Sequence, residues 1–142
     1  MTPFSFLQIN IRGLGLKIKE LLGLANNYKS DIIILNELKV HNYFSDETFQ
    51  LPGWSIYSES QRCAVCVNNA LDLKIEHIKL GLDHQATLAR IPERQPSATA
   101  VRLTDLNKHR SLLVVATYLS PNLESRDILK VFEEIEKIRR IQ

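Results

Sequence analysis

The stretch Asp31-Ile-Ile-Ile-Leu35 constrains this chain more than any other. Its aliphatic residues are consecutive, three of them are β-branched, and no polar residue alternates with them. Such a run has strand length and predicts a strand buried on both faces, not one lying on a surface. Upstream, Ile18, Leu21, Leu22 and Ala25 fall at i, i+3, i+4 and i+7, one face of an amphipathic helix, with Lys17, Lys19, Glu20 and Asn26 on the other. That helix is expected to give out near Asn26-Asn27. Before it, Phe4-Ser-Phe-Leu-Gln-Ile9 reads as a strand ended by Asn10 and the turn-like Arg12-Gly-Leu-Gly15. The opening is therefore β-α-β, with its two strands parallel in one sheet.

Beyond Glu37 the texture changes. His41 to Gln50 is polar and loop-like. Trp54 to Ser58, Arg62 to Val67, Leu71 to Leu80, Ala86 to Ile91, Ala98 to Leu103 and Ser111 to Leu119 are strand candidates at short intervals, the cadence of an antiparallel sandwich. Val65 and Val67 alternate with polar neighbours, as do Leu71, Leu73 and Ile75 across Asn68-Asn69, so a hairpin is expected there. The chain returns to helix at its end, with Ser125 as N-cap, Asp127 in the first turn, and Ile128, Phe132, Ile135 and Ile138 as the apolar stripe. Lys137, Arg139 and Arg140 suit the negative end of its dipole. The sequence stops inside this helix without a Gly cap, an odd place for a domain to finish.

At 142 residues the length suits one domain. A net charge of +2 permits a nucleic-acid partner without announcing one. No apolar run reaches the roughly 18 residues of a membrane span, and the N-terminus lacks the pattern of a secretory signal. Two cysteines with no disulfide pattern make a reducing, intracellular setting the default. Cys63 and Cys66 form a Cys-x-x-Cys, which invites a zinc or redox reading. No second pair and no suitably spaced His accompany it. On a strand, residues three apart point to opposite faces, so core packing is the expected role of both.

Asn10 and Glu37 lie just past the C-terminal ends of the two predicted parallel strands, the edge of a layered sheet where ligands gather. A carboxylate there can bind a hard cation through oxygen, and an amide can donate to a phosphate oxygen or orient the carboxylate. Spacing alone is a weak signal, since a surface Glu is usually only solvated.

The surrounding residues say more. Gln8-Ile-Asn-Ile-Arg-Gly13, a helix, then Asp31-Ile-Ile-Ile-Leu-Asn-Glu-Leu-Lys39 resembles the opening of the endonuclease/exonuclease/phosphatase superfamily. The nearest likeness is to the apurinic-type endonuclease domain of LINE-like (non-LTR) retrotransposons. Arg62-Cys-Ala-Val-Cys-Val-Asn68 and Thr117-Tyr-Leu-Ser-Pro-Asn122 resemble two further elements of that family, in the same order. Asn36 stands where the family usually has Gln before the metal-binding Glu. The resemblance implies an α+β fold, a four-layer α/β/β/α sandwich of the DNase I-like kind, incomplete at the C-terminus, with residues 1–142 as its N-terminal part. It implies Glu37 as ligand of Mg²⁺ or Mn²⁺, Asn10 and Tyr118 as catalytic residues, and Asn10 and Asn122 as phosphate contacts. The implied reaction is nicking of target DNA, in the nucleus. The plainer readings are Tyr118 as a strand-end aromatic and Asn122 as a helix cap.

The family's reaction also needs a Gly-Asp-x-Asn and a Ser-Asp-His, and neither follows in this chain. Asp105-Leu-Asn107 and Leu82-Asp-His84 imitate their letters but precede Tyr118, the wrong order; the first reads as a turn. His41, His77 and His109 read as surface residues without a consistent partner. Three readings follow, in this order: a truncated endonuclease domain, weak or inactive alone; a non-catalytic binding module derived from it; and a half-domain completed by another chain. In each, sheet edges and apolar faces are expected to be open.

Overall fold

The aliphatic run of residues 32–35 is covered on both faces, as its lack of alternation requires. A computed structural model describes residues 4–11, 18–36, 50–58, 63–80, 97–107, 109–119 and 125–140. The elements run β1 (Phe6–Asn10), α1 (Ile18–Asn27), β2 (Ile32–Asn36), β3 (Trp54–Tyr57), β4 (Cys63–Asn68), β5 (Lys74–Ile78), β6 (Ser97–Asp105), β7 (Arg110–Tyr118) and α2 (Ser125–Arg140). The expected loop at 41–49 and strand at 86–91 lie outside the described residues.

Two sheets stack. The first has the order β1-β2-β4-β3, with β1 and β2 parallel and the other pairs antiparallel. The second is antiparallel, β5-β6-β7. Alternation along each strand sorts side chains into three cores. Ile33 and Leu35 of β2 and Ala64 and Cys66 of β4 lie under Leu21 and Ala25 of α1. Ile32, Cys63, Val65 and Val67 meet Val101, Leu103, Val114 and Ala116 between the sheets. Ala98 and Ala100 of β6 lie under Val131 and Ile138 of α2. Small residues are present beneath both helices, Ala64 and Cys66 under α1 and Ala98 and Ala100 under α2. The result is α1, sheet, sheet, α2: the four-layer α/β/β/α sandwich.

Three expectations need correction. β4 and β5 do not form a hairpin. β4 pairs with β2 and β3, β5 pairs with β6, and the turn after Asn68, in which Leu71 N donates to Asn68 O (3.1 Å), carries the chain from one sheet to the other. Leu71, Leu73 and Ile75 still share a core with Val65 and Val67, but by stacking instead of edge pairing. Alternation fixes which face is buried, not which strand is the neighbour. On α2, Phe132 is 56% exposed and Val131 takes the core position, so the stripe is Ile128, Val131, Ile135 and Ile138. Its register on the sheet is held by Arg102, whose guanidinium donates to Ile138 O (3.1 Å) near the negative end of the helix. The ring of His77 packs edge-on against Tyr57, so this histidine does have a neighbour.

The two sheets do not match in width. Leu7 and Ile9 of β1 pack on the α1 side, which leaves Phe6, Gln8 and Asn10 facing the second sheet. That sheet ends at β7, which crosses β2, and Phe6 remains 48% exposed. Among the described residues no strand pairs on the outer side of β7. No helix of the described residues is long and apolar enough to cross a membrane.

α1 ends as expected at Asn27, in a Schellman-type cap. Ser30 N donates to Ala25 O (2.9 Å), Lys29 N donates to Asn26 O (3.2 Å), and Lys29 carries the left-handed residue with φ 50°. Glycine adopts that conformation without a Cβ penalty. Lys29→Gly is expected to raise stability by about 0.5–1 kcal/mol, read as a higher denaturation midpoint at unchanged m-value. A lower midpoint would contradict the cap.

Candidate functional site

The site is built where strand ends meet. β1 and β2 pair in parallel to their last residues, with Asn10 opposite Asn36, and Ile11 N donates to Asn36 O at 3.0 Å. Neighbours in register point to the same face, so the side chains of Asn10 and Asn36 both turn toward the second sheet. The Asn36 side chain crosses the gap between sheets, and its Nδ2 donates to Thr117 O at 3.1 Å. Thr117 directly precedes Tyr118, the last residue of β7. Tyr118 is half-buried on the face that also carries Leu112, Val114 and Ala116. The C-terminal ends of β1, β2 and β7 thus lie at one rim.

Of the four residues expected from the sequence, Asn10 and Tyr118 fall on this rim, Asn10 exposed and Tyr118 half-buried. Glu37 and Asn122 lie outside the described residues. Glu37 directly follows Asn36 in the chain. Asn36 is the residue that sequence reasoning passed over, treating it only as a mild change before Glu37. The signal was there: Ile32, Ile34 and Asn36 alternate onto one face, so the polar residue closing an aliphatic run was bound to face the inter-sheet core.

Asn36 is peculiar energetically. Its Oδ1 is buried with no hydrogen-bond partner. Rotating the amide would aim Oδ1 at the Thr117 carbonyl, two acceptors face to face, so the orientation with Nδ2 donating is the favourable one. An unsatisfied buried acceptor costs about 1–3 kcal/mol. Acceptors of this kind are satisfied by a donor group, a water or a cation. Among the described residues no group of three or more His, Cys, Asp and Glu is placed to hold a metal. The donors at this rim are amide oxygens next to the position of a carboxylate. Hard oxygen donors of this type fit Mg²⁺ or Mn²⁺ better than zinc.

The cysteines belong elsewhere. Cys63 lies between the sheets, its thiol 3.5 Å from Ala116 O and 3.7 Å from Thr99 Oγ1, whereas Cys66 lies under α1. They point to opposite faces, as their spacing on a strand requires. Asp105-Leu-Asn107 is a turn between β6 and β7, closed by Asn107 N donating to Asp105 Oδ1 at 3.0 Å. It sits at the opposite end of β7 from Tyr118, roughly 25 Å away at strand rise. Leu82 to His84 lies outside the described residues.

No family model and no curated protein matches the chain. Among solved structures it is similar to the endonuclease domain of TRAS1, a telomere-specific non-LTR retrotransposon. The TM-score is 0.62 at 17% identity, and the match covers 97% of this chain and 53% of that one. The likeness is one of fold: the chain has the layered architecture of a DNase I-like endonuclease domain and spans about half the length of the structure it matches.

Burial pushes the Cys66 thiol up to about 12 from an ordinary 9.0. The unfolded chain therefore loses this proton first as pH rises, and the contribution is fully present below about pH 9 and lost between 9 and 12. Stability measured from pH 9 to 11 should fall by about 1.4 kcal/mol per pH unit more in the wild type than in Cys66→Ala. Parallel curves for the two proteins would show that Cys66 is not buried as described.

Proposed function

We propose that this chain is the N-terminal part of a metal-dependent endonuclease domain of the non-LTR retrotransposon kind, and that the rim at Asn10, Asn36 and Tyr118 is its cation- and phosphate-facing side. One observation carries this reading: Asn36, the residue before Glu37 in the sequence, ties the end of β2 to the end of β7, whose last residue is Tyr118. The resemblance of Gln8 to Gly13, Asp31 to Lys39 and Thr117 to Asn122 supports it independently of the fold.

In this reading Glu37 holds Mg²⁺ or Mn²⁺ through its carboxylate. A divalent ion bound there would supply charge stabilisation to phosphate oxygens during phosphodiester hydrolysis of DNA. Asn10, at the end of β1 and open to solvent, donates its amide N–H to a phosphate oxygen and orients the Glu37 carboxylate. Tyr118 is held by its packed ring with the hydroxyl for the same phosphate, and Asn122 adds an amide donor. Such donors position a substrate without moving a proton. Activation of the attacking water and acid/base work at the phosphate belong to the Asp-x-Asn and Ser-Asp-His elements, which this chain lacks. Catalytic residues that act as a unit are non-additive, and loss of one costs several orders of magnitude in rate. These residues alone are therefore expected to be weak or inactive, with at best a weak metal and phosphate site.

Among the described residues no strand pairs on the outer side of β7, and Phe6 and Gln8 are exposed, which favours a companion reading in which a complementary polypeptide adds strands beside β7 and covers β1. Both readings place DNA as the partner of the completed domain.

Water-proton relaxation during Mn²⁺ titration of the purified chain should reveal one bound ion, lost in Glu37→Gln. Indistinguishable titrations of the two proteins would overturn the assignment of Glu37. With Mg²⁺ and supercoiled plasmid, the wild type should nick no faster than a protein-free control. Nicking that disappears in Glu37→Ala would contradict the inactivity of the isolated chain.

A further inference from the structure

We infer that Asn36 is a positioning residue of this site, a side-chain clamp that fixes the end of β2 against the end of β7, where Tyr118 lies, and keeps an unpartnered oxygen there. The inference rests on the functional reading of Glu37 and Tyr118 and goes beyond it by naming what holds the strand ends.

Three observations combine. First, the sheets meet mainly through apolar contacts, and their polar ties gather at this end: Thr99 Oγ1 donates to Cys63 O (3.4 Å) beside Asn36, and the Cys63 thiol lies 3.5 Å from Ala116 O. The Asn36–Thr117 hydrogen bond is directional and spans that gap at the rim itself. Second, the residues it joins are each one position short of a proposed functional residue, Asn36 before Glu37 and Thr117 before Tyr118. A displacement at the clamp passes along a single peptide unit on either side. Third, the donor half of the amide is used and the acceptor half is not: Oδ1 is buried and unpartnered. A clamp whose only task was to hold the sheets together would be served as well by an aliphatic residue continuing Ile32 and Ile34, with no orphaned acceptor. A buried amide at this place gains from a donor or cation arriving at the rim, which satisfies Oδ1 at the moment the site is filled.

Asn36 is also tied through its backbone. Its carbonyl accepts from Ile11 N, which follows Asn10. The same residue therefore links β1, β2 and β7 at their ends, and with them Asn10 and Tyr118.

The test separates local positioning from general packing. Asn36→Leu removes donor and acceptor while keeping similar bulk, and Asn36→Gln keeps both groups. In Asn36→Leu, backbone amide exchange at residues 117–119 should accelerate about tenfold or more, with the amides of Val65 and Val114 unchanged. Mn²⁺ affinity, followed by water-proton relaxation, should fall about tenfold, and Asn36→Gln should restore much of both. If Asn36→Leu proves too unstable to measure, Asn36→Asp, which is isosteric and lacks the donor, should show the same local acceleration at 117–119. Unchanged exchange at 117–119, or acceleration spread through Val65 and Val114 as well, would overturn the clamp while leaving the reading of Glu37 intact. Accelerated exchange with unaltered Mn²⁺ affinity would refute the positioning role. Absence of Mn²⁺ binding in the wild type would overturn the functional reading, and the role of Asn36 at a cation site with it.

Discussion

β2 is buried from both sides, and most of what surrounds it exists to achieve that. Ile33 and Leu35 need α1, while Ile32 and Ile34 need a second sheet, because neither face of a strand so apolar can be left to water. The first requirement places the helix between β1 and β2 and makes those strands parallel neighbours. The second brings β6 and β7 across β4 and β2, and with them the β7 end that carries Tyr118. Asn36 then occupies the one place where the run must stop being apolar. It lies on a face already covered, so its amide has to reach across for a partner, and the Thr117 carbonyl is that partner. The rim is thus a consequence of layering and not a separate construction.

Much of this was legible in the residues. The unbroken aliphatic run of β2 announced double burial, and the i, i+3, i+4, i+7 spacing of Ile18, Leu21, Leu22 and Ala25 announced the helix that covers one side. The strand spacing of Cys63 and Cys66 placed their thiols on opposite faces and removed the metal reading. What failed did so for physical reasons. The rows Val65-Val67 and Leu71-Leu73-Ile75 share a core, but alternation is silent on whether two rows meet edge to edge or face to face, so a sheet-to-sheet crossing read as a hairpin. On α2 the spacing of Ile128, Phe132, Ile135 and Ile138 reads as a stripe, yet Val131 takes the core position and Phe132 stays exposed. The floor of Ala98 and Ala100 suits a small residue lodged close to the sheet and leaves the ring outside.

The candidate site was only half legible. Asn10 and Tyr118 could be named, and they stand at neighbouring strand ends. Asn36, which links those ends, was read as a letter replacing another letter. Its importance emerges only when the second sheet is present to receive its hydrogen bond, a contact 81 residues apart in the chain that no local pattern encodes. Among the described residues four strands face three, Phe6 is exposed, and no strand pairs on the outer side of β7.

The central claim is that β2 and β7 are stacked so that their C-terminal ends meet at one rim. Nuclear Overhauser contacts in the isotope-labelled chain test it most directly. The account predicts cross-peaks from the Asn36 side-chain amide protons to the backbone of Thr117 and Tyr118, together with contacts from Cys63 to Ala116. Their absence, with backbone Hα–Hα cross-peaks between the residues of β4 and those of 71–75 in their place, would mean that β4 and β5 form a hairpin and that the rim does not exist.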